Sequence, residues 1–312
     1  MTVCVVARCT ENDSFVLSSD RLFSYGDDFH YDSISLKRVG LTPDGRWHTM
    51  FAAAPVSNVL PIVRRARHIL DACGKRAPYD LEVVERACVQ AYQEHRSRLV
   101  SDRILSKYGI DLAKYQREGL NFGAQECARI NSEIDQLAVG VELIVYGYDK
   151  WNVAHLFTVQ EPGGSTCCDQ DGIAVAGSGA LLAHSSLLSN PLPVISQTEM
   201  ICRLCEAKFL AEQDRYVGKD SAAGVVTKPV SVTEGTSERF ISIPAIDAIR
   251  EANAQGQTRP YPPALLDGIM NELNSAITSE NIGEAIRLAK RIIDRRRRNH
   301  ERAVRSMRGE TR

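Results

Sequence analysis

The chain has 312 residues, 44% hydrophobic and 25% charged, with a formal net charge of -1. That length exceeds what one modest domain needs, and that balance excludes a mainly disordered chain, so one core of ordinary size with an insertion or appendage is expected. The small net charge conceals an asymmetry, because the segment from Arg287 to Arg312 holds eleven Lys or Arg against three acidic residues and leaves the remainder acidic.

Val3 to Cys9 is β-branched and apolar, Thr10 to Ser14 is a polar turn cluster, and Phe15 to Ser19 is apolar again, which predicts a β-hairpin. Folding it about Glu11 and Asn12 brings Asp20 within about two residues of Thr2. Ile34 to Leu41 reads as a third strand carrying Lys37, and Pro43 and Gly45 turn the chain into a fourth, His48 to Ala54. Val56 to Cys73 then places Val59, Ile62, Val63, Ala66, Ile69 and Leu70 at helical spacing with arginines between them, and Gly74 stops it. A second helix fits Tyr79 to Leu99, with Asp80 as its cap. Residues from Val100 to Val139 form a largely helical insertion, loosened around Gly109, Gly119 and Gly123.

Strand character returns in Val141 to Tyr148, His155 to Val159 and Gly172 to Ala176. A short helix, Ala180 to Leu188, precedes a longer one opened by Ser196 with Glu199 three residues on, the capping-box arrangement, and running to about Gln213. Gly224 to Val232 and Phe240 to Ile243 are the last strand signals before an almost wholly helical end. Runs of strands each followed by a helix pair favour an α+β fold, two sheets face to face with helices outside, over a parallel sheet with alternating helices. The expected organisation is one domain over residues 1–243, with an insertion at about 100–139, and a helical extension over 244–312 ending in the basic tail.

The opening MTVCVVARCTENDSF has acidic residues too early for the apolar core of a secretory signal. Ile173 to Leu188 is broken by Gly177, Gly179, His184 and paired serines, so a membrane span is not expected and a soluble, cytoplasmic protein is. Nine cysteines, an odd number, fit reduced thiols better than a disulfide framework. Cys202 and Cys205 fall inside one helix with no second pair at ligand spacing, so core packing is expected there and no structural metal. The glycines from Gly172 to Gly179 lack the residues of a phosphate loop or a dinucleotide fingerprint, and no cofactor is expected. Arg295 to Arg298 read as a solvated or subunit-facing charged helix rather than a nucleic-acid contact.

A threonine hydroxyl is a weak nucleophile and needs a base within hydrogen-bond reach. A chain-terminal threonine carries its own, because an α-amino group titrates at roughly 7.7 to 8.0 and is partly neutral at physiological pH. Thr2 gains that amine once Met1 is removed, which a small second residue favours. The order TVCVVAR, VLSSDR, SLKR and a strand ending FAAA before a helix resembles the opening of proteasome β subunits, above all bacterial relatives without long propeptides. VELIVYGYD, HLFTV, GIAVAGSGA and KDSAAGVV continue the resemblance to Ile243.

The resemblance implies a four-layer αββα N-terminal-nucleophile (Ntn) hydrolase, a threonine-type peptidase acting on peptides or proteins. It implies Thr2 as nucleophile, Lys37 as the cation that lowers the amine's pKa and favours the alkoxide, and Asp20 as its orienting carboxylate. It also implies Ser178 beside the amine, Asp220 in its support, and an oxyanion hole at the end of the strand before the first long helix, at Ala53. This sequence departs from the family's Asp-x-x-Ser-Gly-Gly, since Ala223 stands at the serine position, with Ser221 as a candidate substitute. Family members work as stacked homo-oligomeric rings, often fed by a separate ATP-dependent unfoldase. Two rivals stand beside the peptidase: a catalytically silent ring or scaffold subunit, and a small-amide hydrolase on the same core.

Overall fold

A computed structural model describes residues 2–25, 29–32, 37–53, 55–74, 79–189, 196–230, 235–256 and 261–274. Strands β1 (Val3–Cys9) and β2 (Ser14–Asp20) form the expected hairpin, paired from Cys4 opposite Ser19 to Cys9 opposite Ser14. A second hairpin, β3 (Leu22–Tyr25) and β4 (Phe29–Asp32), follows where no strand was expected. Strand β5 is only Arg38–Gly40; Lys37 stands immediately before it, and residues 34–36 of the strand expected there lie outside the described residues. Strand β6 (Trp47–Ala53) leads into helices α1 (Val59–Ala72) and α2 (Leu81–Val100). Asp80 occupies the N-cap position of α2 but does not cap it with its side chain, because its carboxylate accepts from Lys150 at 2.8 Å instead.

The insertion is helical as expected, with α3 (Leu112–Glu118) and α4 (Ala124–Gln136). It has a cluster of its own, in which Val100, Ile104, Leu105, Tyr115 and Ile130 are buried together. Strands β7 (Val141–Tyr148), β8 (Ala154–Gln160), β9 (Gly164–Cys167) and β10 (Ile173–Gly177) come next. Helix α5 (Ala180–Leu188) precedes α6 (Gln197–Ala211), and both halves of the Ser196–Glu199 capping box are made. Strand β11 (Ser221–Thr227) starts three residues before the expected Gly224, and β12 is Ser237–Phe240. Helix α7 (Ile243–Ala254) opens on Ser242, whose hydroxyl accepts from Ala245 N at 3.3 Å. Helix α8 (Pro263–Asn274) follows.

Two five-stranded antiparallel sheets result, ordered β10-β1-β2-β11-β12 and β5-β6-β7-β8-β9. Period-two alternation explains how they pack. In β7, Ile144, Tyr146 and Tyr148 join Cys4, Val6, Phe15, Leu17, Met50 and Ala52 in a core between the sheets. The intervening Val141, Leu143 and Val145 turn to the other face and pack with Val59, Ile62, Val63, Ala87 and Ala91 of α1 and α2. The first sheet is covered on its outer face by α5 and α6, with α6 against both β1 and β2. Cys202 and Cys205 are buried in α6, as core packing requires.

Contact density divides the chain into Met1–Met270 and Asn271–Arg312. The first unit runs past Ile243, the boundary expected from the sequence, because α7 packs on α6 and β11. The basic tail from Arg287 lies outside the described residues. No described helix is long and apolar enough to cross a membrane.

Candidate active site

The β1–β2 register decides where the chemistry gathers. With Cys4 opposite Ser19, Asp20 comes level with Val3 and accepts its backbone N–H through Oδ1 at 3.0 Å. Lys37 is fixed from the second sheet, where its carbonyl accepts from Phe51 N at 3.2 Å. Its ammonium reaches between the sheets to Asp20 Oδ1 at 3.0 Å. The hydroxyl of Thr2 donates to Asp20 Oδ1 and accepts from Lys37 Nζ. Thr2, Asp20 and Lys37 are 3%, 0% and 3% exposed. In such surroundings an unpaired charge is costly, and the ammonium and carboxylate are held together by mutual need.

Thr2 opens onto a cleft of about 240 Å³ lined also by Ala52, Ala53, Gly140, Glu142, Glu161 and Ser178. Ala53 is the last residue of β6 and lines this cleft. Gly177, the partner of Val3 across β1 and β10, is in the left-handed region at φ +101°, and a Cβ on it would lie 2.0 Å from the Thr2 carbonyl oxygen. Only glycine permits so close an approach. Cys4, next to the threonine, is no rival nucleophile: its thiol donates to Phe51 O at 3.2 Å, and burial pushes its pKa up to about 12.

The remaining expected residues are not brought together in the same way. Ser178 lines the cleft, but its buried hydroxyl has no hydrogen-bond partner among the described residues. The support expected from Asp220 is not made: the residue is exposed, its carbonyl accepts from Arg21 N at 3.0 Å, and its carboxylate makes no hydrogen bond or ion pair among the described residues. Ser221, the candidate substitute for the serine missing at Ala223, does not turn to the cleft either. Its hydroxyl donates to Lys219 O at 3.5 Å and accepts from Arg250 at 3.2 Å, because β11 pairs it with Asp20 and aligns it with α7 instead of the cleft. Ala223, also on β11, is buried and offers no hydroxyl.

Two carboxylates escaped sequence reasoning. Glu142 Oε2 accepts from Gly177 N at 2.7 Å, and Glu161 Oε1 accepts from Gly140 N at 3.0 Å as well as from Val139 N. The signal for Glu142 was a lone charge in the apolar run VELIVYGY. Among the described residues no group of three or more His, Cys, Asp or Glu is placed to hold a metal ion.

No protein-family model matches the chain, and no curated protein matches it. A search of solved structures finds a mutant of the Anbu protein from Hyphomicrobium sp. strain MC1, with a TM-score of 0.54 and 15% identity over 84% of this chain and 99% of that one. At that identity the likeness is one of fold alone: this chain shares the fold of that protein over most of its length.

Proposed function

We propose that the protein is a threonine-type peptidase of the N-terminal-nucleophile class, built on the four-layer αββα scaffold. The observation that carries this reading is the buried hydrogen-bonded cluster of Thr2, Asp20 and Lys37 at the wall of an open cleft. Once Met1 is removed, the Thr2 amine takes the Oγ1 proton, directly or through water, as Oγ1 attacks the substrate's amide carbon. The Lys37 ammonium stabilises the developing alkoxide, and Asp20 holds that ammonium in place. The backbone N–H of Ala53 receives the oxyanion; the amine nitrogen of the substrate leaves with the proton, and a water then hydrolyses the Thr2 ester. Ring assembly, feeding by an ATP-dependent unfoldase and a cytoplasmic location belong to the same proposal.

Intact-protein mass spectrometry followed by labelling with a peptide epoxyketone tests it. Loss of Met1 and a covalent adduct on Thr2 are expected, and retention of Met1 in a protein that labels nowhere would overturn the reading.

One observation favours a second reading, the catalytically silent scaffold subunit. Among the described residues the Ser178 hydroxyl has no partner while Asp220 is exposed, so the half of the site that would position the amine is not assembled there. The same labelling experiment separates the two.

A further inference from the structure

A second buried lysine stands behind the site. Lys208 of α6 is 0% exposed, and its ammonium donates to the Glu212 carboxylate, to Gly218 O at 2.8 Å and to Lys219 O at 2.9 Å. Three N–H donors meet three acceptors, so the ammonium is fully satisfied where a neutral amine would not be. Burial pushes the Lys208 pKa down, and Glu212 opposes that shift.

Glu212 is itself clamped from α7, where Arg250 donates to both carboxylate oxygens, at 2.7 and 2.8 Å. The same guanidinium donates to Lys219 O at 2.7 Å and lies over the Phe209 ring at 4.0 Å. The segment gripped in this way leads straight to the nucleophile. Gly218 donates its backbone N–H to Asp20 Oδ2 at 3.3 Å, the carboxylate oxygen that neither Thr2 nor Lys37 uses in the bonds described above. Two residues on, the Asp220 carbonyl accepts from Arg21 N. A glycine left to itself has the widest backbone freedom of any residue. Here its carbonyl is held by Lys208 and its amide faces Asp20.

We infer that Lys208, Glu212 and Arg250 are positioning residues that hold the Gly218 amide on Asp20 and so fix the carboxylate that orients Lys37 and Thr2. The inference rests on the peptidase reading for its catalytic consequence, but not for its geometry. It makes α7, beyond the last residue of the expected domain, part of what sets the nucleophile's reactivity.

The test compares full-length wild type with Arg250→Gln and Glu212→Gln, two substitutions that keep polar side chains at both positions. Lys208→Met is excluded as the sole test because it strands three buried acceptors. Two readouts are taken. Hydrogen exchange followed by mass spectrometry is expected to show the Gly218 amide exchanging about tenfold faster in both variants, in protein that still melts cooperatively. Epoxyketone labelling of Thr2 is expected to show the maximal inactivation rate falling about tenfold with the inhibitor's apparent binding constant unchanged, since the cluster touches no substrate. A merely structural role would lower the number of labelled sites per chain and leave the rate at each site alone.

Unchanged Gly218 exchange in folded Arg250→Gln and Glu212→Gln would overturn the inference, as would faster exchange with wild-type labelling rates. If wild type does not label, the peptidase reading fails, and the exchange measurement still decides whether this cluster holds Gly218 on Asp20.

Discussion

On one side of Thr2 the functional groups are matched: hydroxyl, ammonium and carboxylate bond one another, and the carboxylate is held again by Val3 N and Gly218 N. On the other side Ser178 has a buried hydroxyl without a partner among the described residues, and the residue expected to support it, Asp220, is exposed. The first side is built by strand register, which fixes Asp20 against β1 for backbone reasons alone. The second depends on side chains carried by a loop and by residues around the start of β11, where Ala223 offers no hydroxyl. Thr2, Asp20 and Lys37 are thus bonded to one another, whereas Ser178 and Asp220 are not brought together.

The largest effects should come from the matched side. Thr2→Ala should abolish epoxyketone labelling while leaving the fold intact. Lys37→Met should also abolish it and, by stranding the Asp20 carboxylate in the core, lower stability by about 3–5 kcal/mol in urea titration. Gly177→Ala should cost at least about 2 kcal/mol and cut labelling about a hundredfold, because the new Cβ must push Thr2 from its place.

Acid should attack the same strand that presents Ala53. Burial foremost, then Arg38, pushes the pKa of His48 down to about 3. The folded protein therefore leaves His48 neutral at a pH where the unfolded chain protonates it. The contribution is complete above about pH 6.5 and is lost as pH falls from there towards 3, at up to about 1.4 kcal/mol per pH unit. Urea titrations across that window should be less steep in pH for His48→Gln than for wild type.

The smallest effects belong to the unmatched side. Ser178→Ala should leave stability unchanged or raise it by up to about 1 kcal/mol, since it removes an unsatisfied buried hydroxyl. Asp220→Asn should change neither stability nor labelling. A tenfold loss of labelling in Ser178→Ala would erase the contrast, showing that the hydroxyl finds its partner in the free Thr2 amine.

What sequence reasoning read well was whatever local periodicity or register determines. Thr2 and Asp20 were predicted as neighbours from a single hairpin, β7 and α5 were found at their observed ends, and the capping box located the start of α6. It missed β9, whose Gly164–Cys167 carries no apolar alternation, and it began β11 late because Ser221, Ala222 and Ala223 have little strand propensity. Asp80 was read as a cap from its place before an apolar run, but Lys150, far along the chain, claims its carboxylate. The partners of Glu142 and most of those of Lys208 and Glu212 are likewise groups brought near only by the fold: Gly177 N, the carbonyls of Gly218 and Lys219, and Arg250.

The order of strands in the first sheet has a temporal consequence. Strand β1 is flanked by β2 and β10, and β2 by β11, so the β1–β2 hairpin must wait for residues beyond 220 before its sheet can close. Such long-range pairing forms late. Gly177 and Gly218, which both pack around the Thr2–Asp20 pair, come from segments far along the chain, so the surroundings of Thr2 are completed only after those segments have been made.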